Sequence, residues 1–332
     1  MDYRPLGHSE LRVPPIIFGA WAAGGWYWGP QDDADSIRAI HAALDAGITC
    51  IDTAPIYGMG HSEEVVGKAI KGRRHNVTLA TKCGLRWDTP GEGCHHWVYK
   101  APDGSEHTIV RNLRRHAIIA EVEHSLKRLG TDVIDLYQCH WPDPSTPIAE
   151  TMEAMLTLKT QGKIRAIGVS NFTPDMMAEC LKTAPLASDQ PKYSLLTRDI
   201  EADVLPFCRT HNIAVIVYSP LEQGLLTGKV TMERTFPAGD YRGGRPWFLP
   251  QNRRRVLDAL EKAKPIAAAH NATLGQLAIA WVIAQPGVTA AIVGARNPDQ
   301  ARENARAANI KLSPADLATI RKLFDGLGQP LA

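Results

Sequence analysis

The chain has 332 residues, of which 44% are hydrophobic, and its 37 Lys and Arg nearly balance 35 Asp and Glu to leave a formal net charge of +2. That balance supports a large buried core and excludes the wholesale positive bias of a nucleic-acid partner. No apolar run nears the roughly 20 residues that span a bilayer, MDYRPLGHSELRV lacks the basic start and apolar block of a signal peptide, and the six Cys show no C-x-x-C pairing; the expectation is a cytoplasmic enzyme with reduced thiols and no membrane association.

In chain order, PLGHSELRVPPI reads as a small hairpin turning at Gly7-His8, after which short apolar runs alternate with segments of helical period. The runs are 16–20, 49–52, 77–82, 133–140, 164–170, 187–191, 214–220 and 289–295. Helical segments are expected at 33–46, 63–71, 112–129, 148–162, 174–183, 201–211, 252–285 and 298–308. Thr173-Pro174, Asn297-Pro298 and Ser313-Pro314 each set a capping side chain before a Pro suited to the first helical position. Near-continuous apolar strands separated by helices imply a parallel sheet covered on both faces. Eight such units favour closure into an α/β (β/α)8 TIM barrel, with an N-terminal β-hairpin and one domain over 1–332. Two Gly/Pro-rich insertions, 85–111 and 219–250, follow strand ends and are expected as long loops at the C-terminal face.

Closure would bring strand-end side chains to one mouth: Asp52, Lys82, His140, and Tyr57 in the Gly-rich turn after Asp52. An ordinary Tyr holds its proton to about pH 10, and a neighbouring ammonium stabilises the phenolate. Lys82 is the candidate ammonium, Asp52 the counter-ion that keeps it charged, and His140 a group that orients a carbonyl oxygen or shares the proton. The set reads as a general acid, Tyr57, with a lowered pKa and aimed at a carbonyl.

The stretches IDTAPIYGMGHSEEVVGKAI, TLATKCG, DVIDLYQCHWPDP, GKIRAIGVSNF and VYSPLEQGLLTGK resemble the aldo-keto reductase superfamily along essentially the whole chain, and most nearly its bacterial branch that is also similar to potassium-channel β subunits. The resemblance implies a tetrad on Asp52, Tyr57, Lys82 and His140, and hydride transfer from a nicotinamide cofactor to an aldehyde or ketone. It places the carboxamide at Ser170, Asn171 and Gln190, with Tyr218 stacked under the nicotinamide ring. The segment from Ser219 through Leu221, Gly224, Leu226, Gly228 and Lys229 resembles a pyrophosphate-crossing belt whose backbone N–H groups approach phosphate. A Walker A reading of Gly224 to Lys229 fails, because the spacing is one residue short and Val230 stands where Ser or Thr binds magnesium.

By the same resemblance, Gly294, Arg296 and Gln300 lie near the ribose 2′ position, and Glu303 and Asn304 near adenine, which favours NADPH while leaving NADH possible. Many superfamily reductases carry Arg where this chain has Gln300, so one charge that would grip a 2′-phosphate is missing. Trp21, Trp26, Trp87 and Trp141 are expected to line a pocket for a small-molecule carbonyl substrate. Cys94-His95-His96 lacks a second ligand pair, so no metal is expected. Two other readings use the same residues: an NAD(P)-dependent sugar or polyol dehydrogenase working oxidatively, and a nucleotide-sensing subunit with slow turnover.

Overall fold

Alternation along eight short strands decides what fills the interior. The computed structural model describes residues 1–25, 31–89, 91–101, 104–237, 240 and 242–331. The hairpin is β1 (Arg4–Pro5) and β2 (Arg12–Val13), followed by β3 (Ile16–Gly19), β4 (Cys50–Asp52) and β5 (Thr78–Cys83). Then come β6 (Leu85–Arg86), β7 (Cys94–Lys100), β8 (Glu106–Arg111), β9 (Ile134–Cys139) and β10 (Ile164–Val169). The last strands are β11 (Ser188–Asp189), β12 (Ala214–Val217) and β13 (Val288–Gly294). Strands β3, β4, β5, β9, β10, β11, β12 and β13 close in that order into a barrel, with β13 pairing β3 in parallel. All eight expected runs form barrel strands, even the polar ASDQP, which contributes only Ser188–Asp189.

The barrel helices are α1 (Asp33–Asp45), α2 (His61–Ile70), α3 (Arg115–Leu129), α4 (Ile148–Thr160), α5 (Pro174–Leu181) and α6 (Val204–Thr210). They continue as α7 (Pro250–Ala269), α8 (Leu274–Ile283), α9 (Pro298–Arg306) and α10 (Pro314–Asp325). Thr173, Asn297 and Ser313 cap their helices by accepting the backbone N–H of Met176, Gln300 and Asp316. The segment expected as one helix over 252–285 is two. Asn271 takes φ 49°, and a capping box between Thr273 and Gln276 starts the second. Among the described residues no single helix is long and apolar enough to cross a membrane.

Outward-facing strand residues such as Ile51, Leu79, Tyr137, Val169 and Val217 pack under the helices. Inward-facing ones are small: Cys50, Ala80, Ala166, Ala214 and Ala290 cluster with Leu6, Leu11 and Val13 of the hairpin, which plugs the N-terminal end. Gly7 seats that plug at φ 56°, and a Cβ there would stand 2.4 Å from the carbonyl oxygen of Ala187. Insertion 85–111, expected as a loop, is instead organised by β6, β8 and β7 into an antiparallel sheet over the mouth. Its Leu85, Tyr99 and Ile109 cluster with Ala54 and Ile56 of the turn after β4, which explains the order: the insertion packs on the turn that carries Tyr57.

Alternation also turns Asp189 outward from the barrel interior, where neither carboxylate oxygen finds a side-chain partner. Burial pushes its pKa up to about 8, only partly offset by the backbone N–H groups of Gln190 and Phe172. The folded chain therefore keeps a proton that the unfolded chain releases near pH 4. Stability conferred by the neutral form is complete below that value and drains away as pH rises toward about 8. Asp189→Asn should flatten this decline, read as urea midpoints between about pH 5 and about pH 8; an unchanged slope would assign it to other groups, first to Glu121, whose pKa burial also raises to about 8.

Candidate functional site

The alternation that makes the lower barrel apolar makes its top layer polar. From Cys50, Ala80 and Leu136, each pointing inward, two residues further on lie Asp52, Lys82 and Gln138, and register pairs Lys82 with Gln138. Gln190 joins them from the end of β11, and all four are at most 2% exposed. Lys82 Nζ donates to Asp52 Oδ1 at 2.6 Å, to the Thr53 carbonyl at 2.9 Å and to Tyr57 OH at 3.3 Å. Its three protons are thus all placed. The other Asp52 oxygen accepts from Gln190 Nε2 at 2.9 Å and Gln138 Nε2 at 3.3 Å. Gln138 was missed by the sequence reading, though its position two residues after inward Leu136 and two before His140 carries the signal.

Tyr57 is held by a close backbone contact. A Cβ on Gly24 would lie 2.6 Å from the Tyr57 carbonyl carbon, and one on Gly58, at φ 66°, would lie 2.2 Å from the Gly24 oxygen. Only bare backbone fits, so the turn after β4 fixes the ring over the mouth. His140 meets that ring edge-on at 5.8 Å between centroids, and Trp21 covers it at 6.1 Å.

The electrostatics depart from the expected lowering of Tyr57. Burial raises its pKa, and the opposing pull of Lys82 does not overcome this. A phenolate here loses its hydration, a cost that the neighbouring cation only partly offsets. Burial, the largest single effect, also disfavours the Lys82 ammonium, but Asp52 and Tyr57 together outweigh it and hold that pKa above the ordinary value. Burial first, then Lys82 and His96, drives His140 well below the ordinary imidazole range, so its ring is neutral at pH 7.

A cleft of about 810 Å³ runs from this cluster between the ends of β12 and β13. At its inner end Ser170 Oγ donates to the Gln190 carbonyl at 2.7 Å, and Asn171 Nδ2 donates to the His140 carbonyl at 3.1 Å and to Ser170 Oγ at 3.0 Å. Tyr218 OH donates to Asn171 Oδ1 at 3.0 Å. Their donors are therefore spent inside the protein, while Gln190 Oε1 and the second lone pair of Asn171 Oδ1 are left as acceptors.

Ser219, Leu221, Gly224 and Lys229 line the middle of the cleft. The N–H groups of Gly224 and Leu226 bond to the Leu221 carbonyl and that of Gly228 to the Leu225 carbonyl. Among the described residues, the N–H groups of Leu221 and Gln223 meet no acceptor in the chain. These two, rather than the glycine N–H groups, fit an anionic ligand. Leu226 is fully buried in the core, and Gly228 faces Leu274, so neither lines the cleft.

Gly294, Arg296, Gln300, Glu303 and Asn304 gather at the far end. Gln300 Oε1 accepts the Arg296 N–H at 2.8 Å, Arg296 Nε donates to Gln31 at 2.7 Å, and Asn304 Nδ2 donates to the Gly294 carbonyl at 3.1 Å. Lys229 reaches across to Glu303 at 3.3 Å and ties the segment after β12 to α9. Trp21 and Trp141 line the mouth together with His96 and Trp97 of the antiparallel sheet. Trp87 instead packs on that sheet's cluster, and Trp26 lies outside the described residues. Among the described residues no group of three His, Cys, Asp or Glu is placed to hold a metal ion.

Comparison with known proteins matches residues 15–325 to the Aldo/keto reductase family. An aldo-keto reductase of Bacillus subtilis is 44% identical over 303 residues, covering 90% of this chain and 86% of its own length. The NADH-specific methylglyoxal reductase of Escherichia coli is 41% identical over 332 residues, covering 97% and 98%. The solved glycerol dehydrogenase of Gluconobacter oxydans superposes with a TM-score of 0.87 at 38% identity, covering 99% of this chain and 97% of the other.

The ion pair makes a separable expectation. Asp52→Asn leaves Lys82 charged and enclosed, and should lower stability by about 3 to 5 kcal/mol. Adding Lys82→Met removes the unpaired charge and should recover most of that loss in urea denaturation. Equal losses for the single and double variants would show that packing, not charge, carries the cost.

Proposed function

We propose, from the premise that this chain belongs to the aldo/keto reductase family and is an NAD(P)H-dependent oxidoreductase, that it reduces aldehydes or ketones with Tyr57 as general acid and NADPH as preferred cofactor. The observation that carries this reading is the direction of one hydrogen bond. Lys82 donates to Tyr57 OH, so the phenol's own proton is left for an acceptor in the cleft.

A bound nicotinamide supplies the hydride. Tyr57 gives its proton to the substrate oxygen as negative charge develops there, and the resulting phenolate faces the Lys82 ammonium. Asp52 keeps that ammonium charged throughout. Neutral His140 donates its ring N–H to the same oxygen and adds no competing positive charge. Burial that raises the Tyr57 pKa keeps the phenol protonated at neutral pH, which supports proton donation over proton removal and so reduction over oxidation.

The cofactor fits the groups that line the cleft. Acceptors Gln190 Oε1 and Asn171 Oδ1 meet the two N–H donors of a carboxamide, Tyr218 offers a ring face, and the N–H groups of Leu221 and Gln223 meet a diphosphate. Arg296 at the start of α9 is the cation for a 2′-phosphate. The Escherichia coli relative is described as NADH-specific; in this chain the NADPH reading rests on Arg296.

Tyr57→Phe should lower the rate of carbonyl reduction by roughly 10³-fold or more while NADPH binding, read by fluorescence quenching, stays within about twofold. Turnover near the parent rate would remove Tyr57 as the acid. Arg296→Ala should raise KM for NADPH about tenfold with KM for NADH nearly unchanged. An equal shift for both would place the 2′ contact elsewhere.

A further inference from the structure

Beside the cleft lies a second recess of about 1010 Å³ that the proposed reaction does not use. The two spaces share Trp21, Trp141, Tyr218 and Ser219, so a molecule with its carbonyl at Tyr57 has a continuous path into the recess. The far wall is built by residues 195–202 after β11 and by the segment that follows α10.

Most charges in this wall are paired, and Asp199, which also lines it, adds a carboxylate with no ion pair among the described residues. Lys192 Nζ pairs with Glu222 at 3.0 Å, Arg198 pairs with Asp325, and Glu201 pairs with Arg321 at 2.8 Å. Arg245, shared with the cleft, stands in the field of Glu222. Glu222 is almost fully buried and also accepts from Ser194 at 2.9 Å and Thr197 at 2.7 Å, so its pair with Lys192 is anchored. To gain Lys192 or Arg198, an anionic ligand would have to displace a carboxylate from its cation. A neutral ligand with hydroxyls meets paired charges as they stand, donating to carboxylate edges and accepting from cations and the Gln223 and Gln329 amides. Half-buried Trp21 and Trp141, at the junction with the cleft, add flat apolar surface, while Trp247 and Phe248 are held in the core behind the lining. Hydroxyls around an apolar face describe a sugar ring.

We propose that this recess is a subsite for the neutral, polyhydroxylated tail of an extended carbonyl substrate, a glycosyl group above all. The proposal rests on the carbonyl-reductase reading, and its test separates the two. Reduction of 4-methoxybenzaldehyde, 4-formylphenyl β-glucoside and 4-formylphenyl phosphate is followed by loss of reduced cofactor. The glucoside should show kcat/KM about tenfold above the methoxy compound, and the phosphate should show no gain. Ala202→Trp and Gln329→Trp, at exposed positions in the two segments of the far wall and away from the tetrad, should each erase the preference for the glucoside while 4-methoxybenzaldehyde turns over within about twofold of the parent.

Equal kcat/KM for glucoside and methoxy compound overturns the subsite, as does a preference for the phosphate or an equal loss on both neutral substrates in the Trp variants. If none of the aldehydes is reduced, the carbonyl-reductase reading fails instead. The subsite is then read by tryptophan-fluorescence titration with the glucoside: saturable quenching lost in Ala202→Trp supports it, and no quenching in the parent overturns it.

Discussion

One buried ion pair, Lys82 Nζ against Asp52 Oδ1 at 2.6 Å, organises the mouth of this barrel. Enclosing an ammonium and a carboxylate is unfavourable unless both are fully bonded, and here they are. The ammonium places its protons on Asp52, Thr53 and Tyr57, while Gln138 and Gln190 occupy the second carboxylate oxygen. The Lys82 bond to Tyr57 settles which way the phenol's proton is offered.

The pair exists because a closed parallel barrel converts period-two alternation into layers. Small apolar side chains and the hairpin plug occupy the lower layers, so the one polar layer sits at the C-terminal mouth. Left-handed backbone gathers there too. Of the non-glycine residues with positive φ, Met59, Asn171, Ser219, Glu222 and Gln223 belong to turns around the cleft. Such conformations persist where surrounding bonds over-determine them, and Asn171 bonded to His140, Ser170 and Tyr218 is the clearest case.

Two long insertions divide the labour. The first, over 85–111, carries its own sheet, shares a small core with the turn after β4, and sends His96 and Trp97 to the mouth. The second follows β12 and supplies one wall of the cleft and one wall of the neighbouring recess, with Glu222 and Lys229 fastening its start to the β11 loop and to α9. The same segment therefore borders the space suited to a nucleotide and the space suited to a substrate tail.

Sequence alone determined the barrel, its eight strands, the helix starts at Thr173, Asn297 and Ser313, and the convergence of Asp52, Tyr57, Lys82 and His140, because periodicity, caps and strand ends are local signals that closure turns into positions. Tertiary structure decided what depends on enclosure and on neighbours distant in sequence. The direction of the Tyr57 shift is one such property, since burial outweighs a cation that the sequence can place but not desolvate. Gln138 under Asp52, Leu226 in the core and Trp87 on the sheet are others: whether a residue of suitable chemistry faces the cleft depends on which side its backbone turns within the assembled fold.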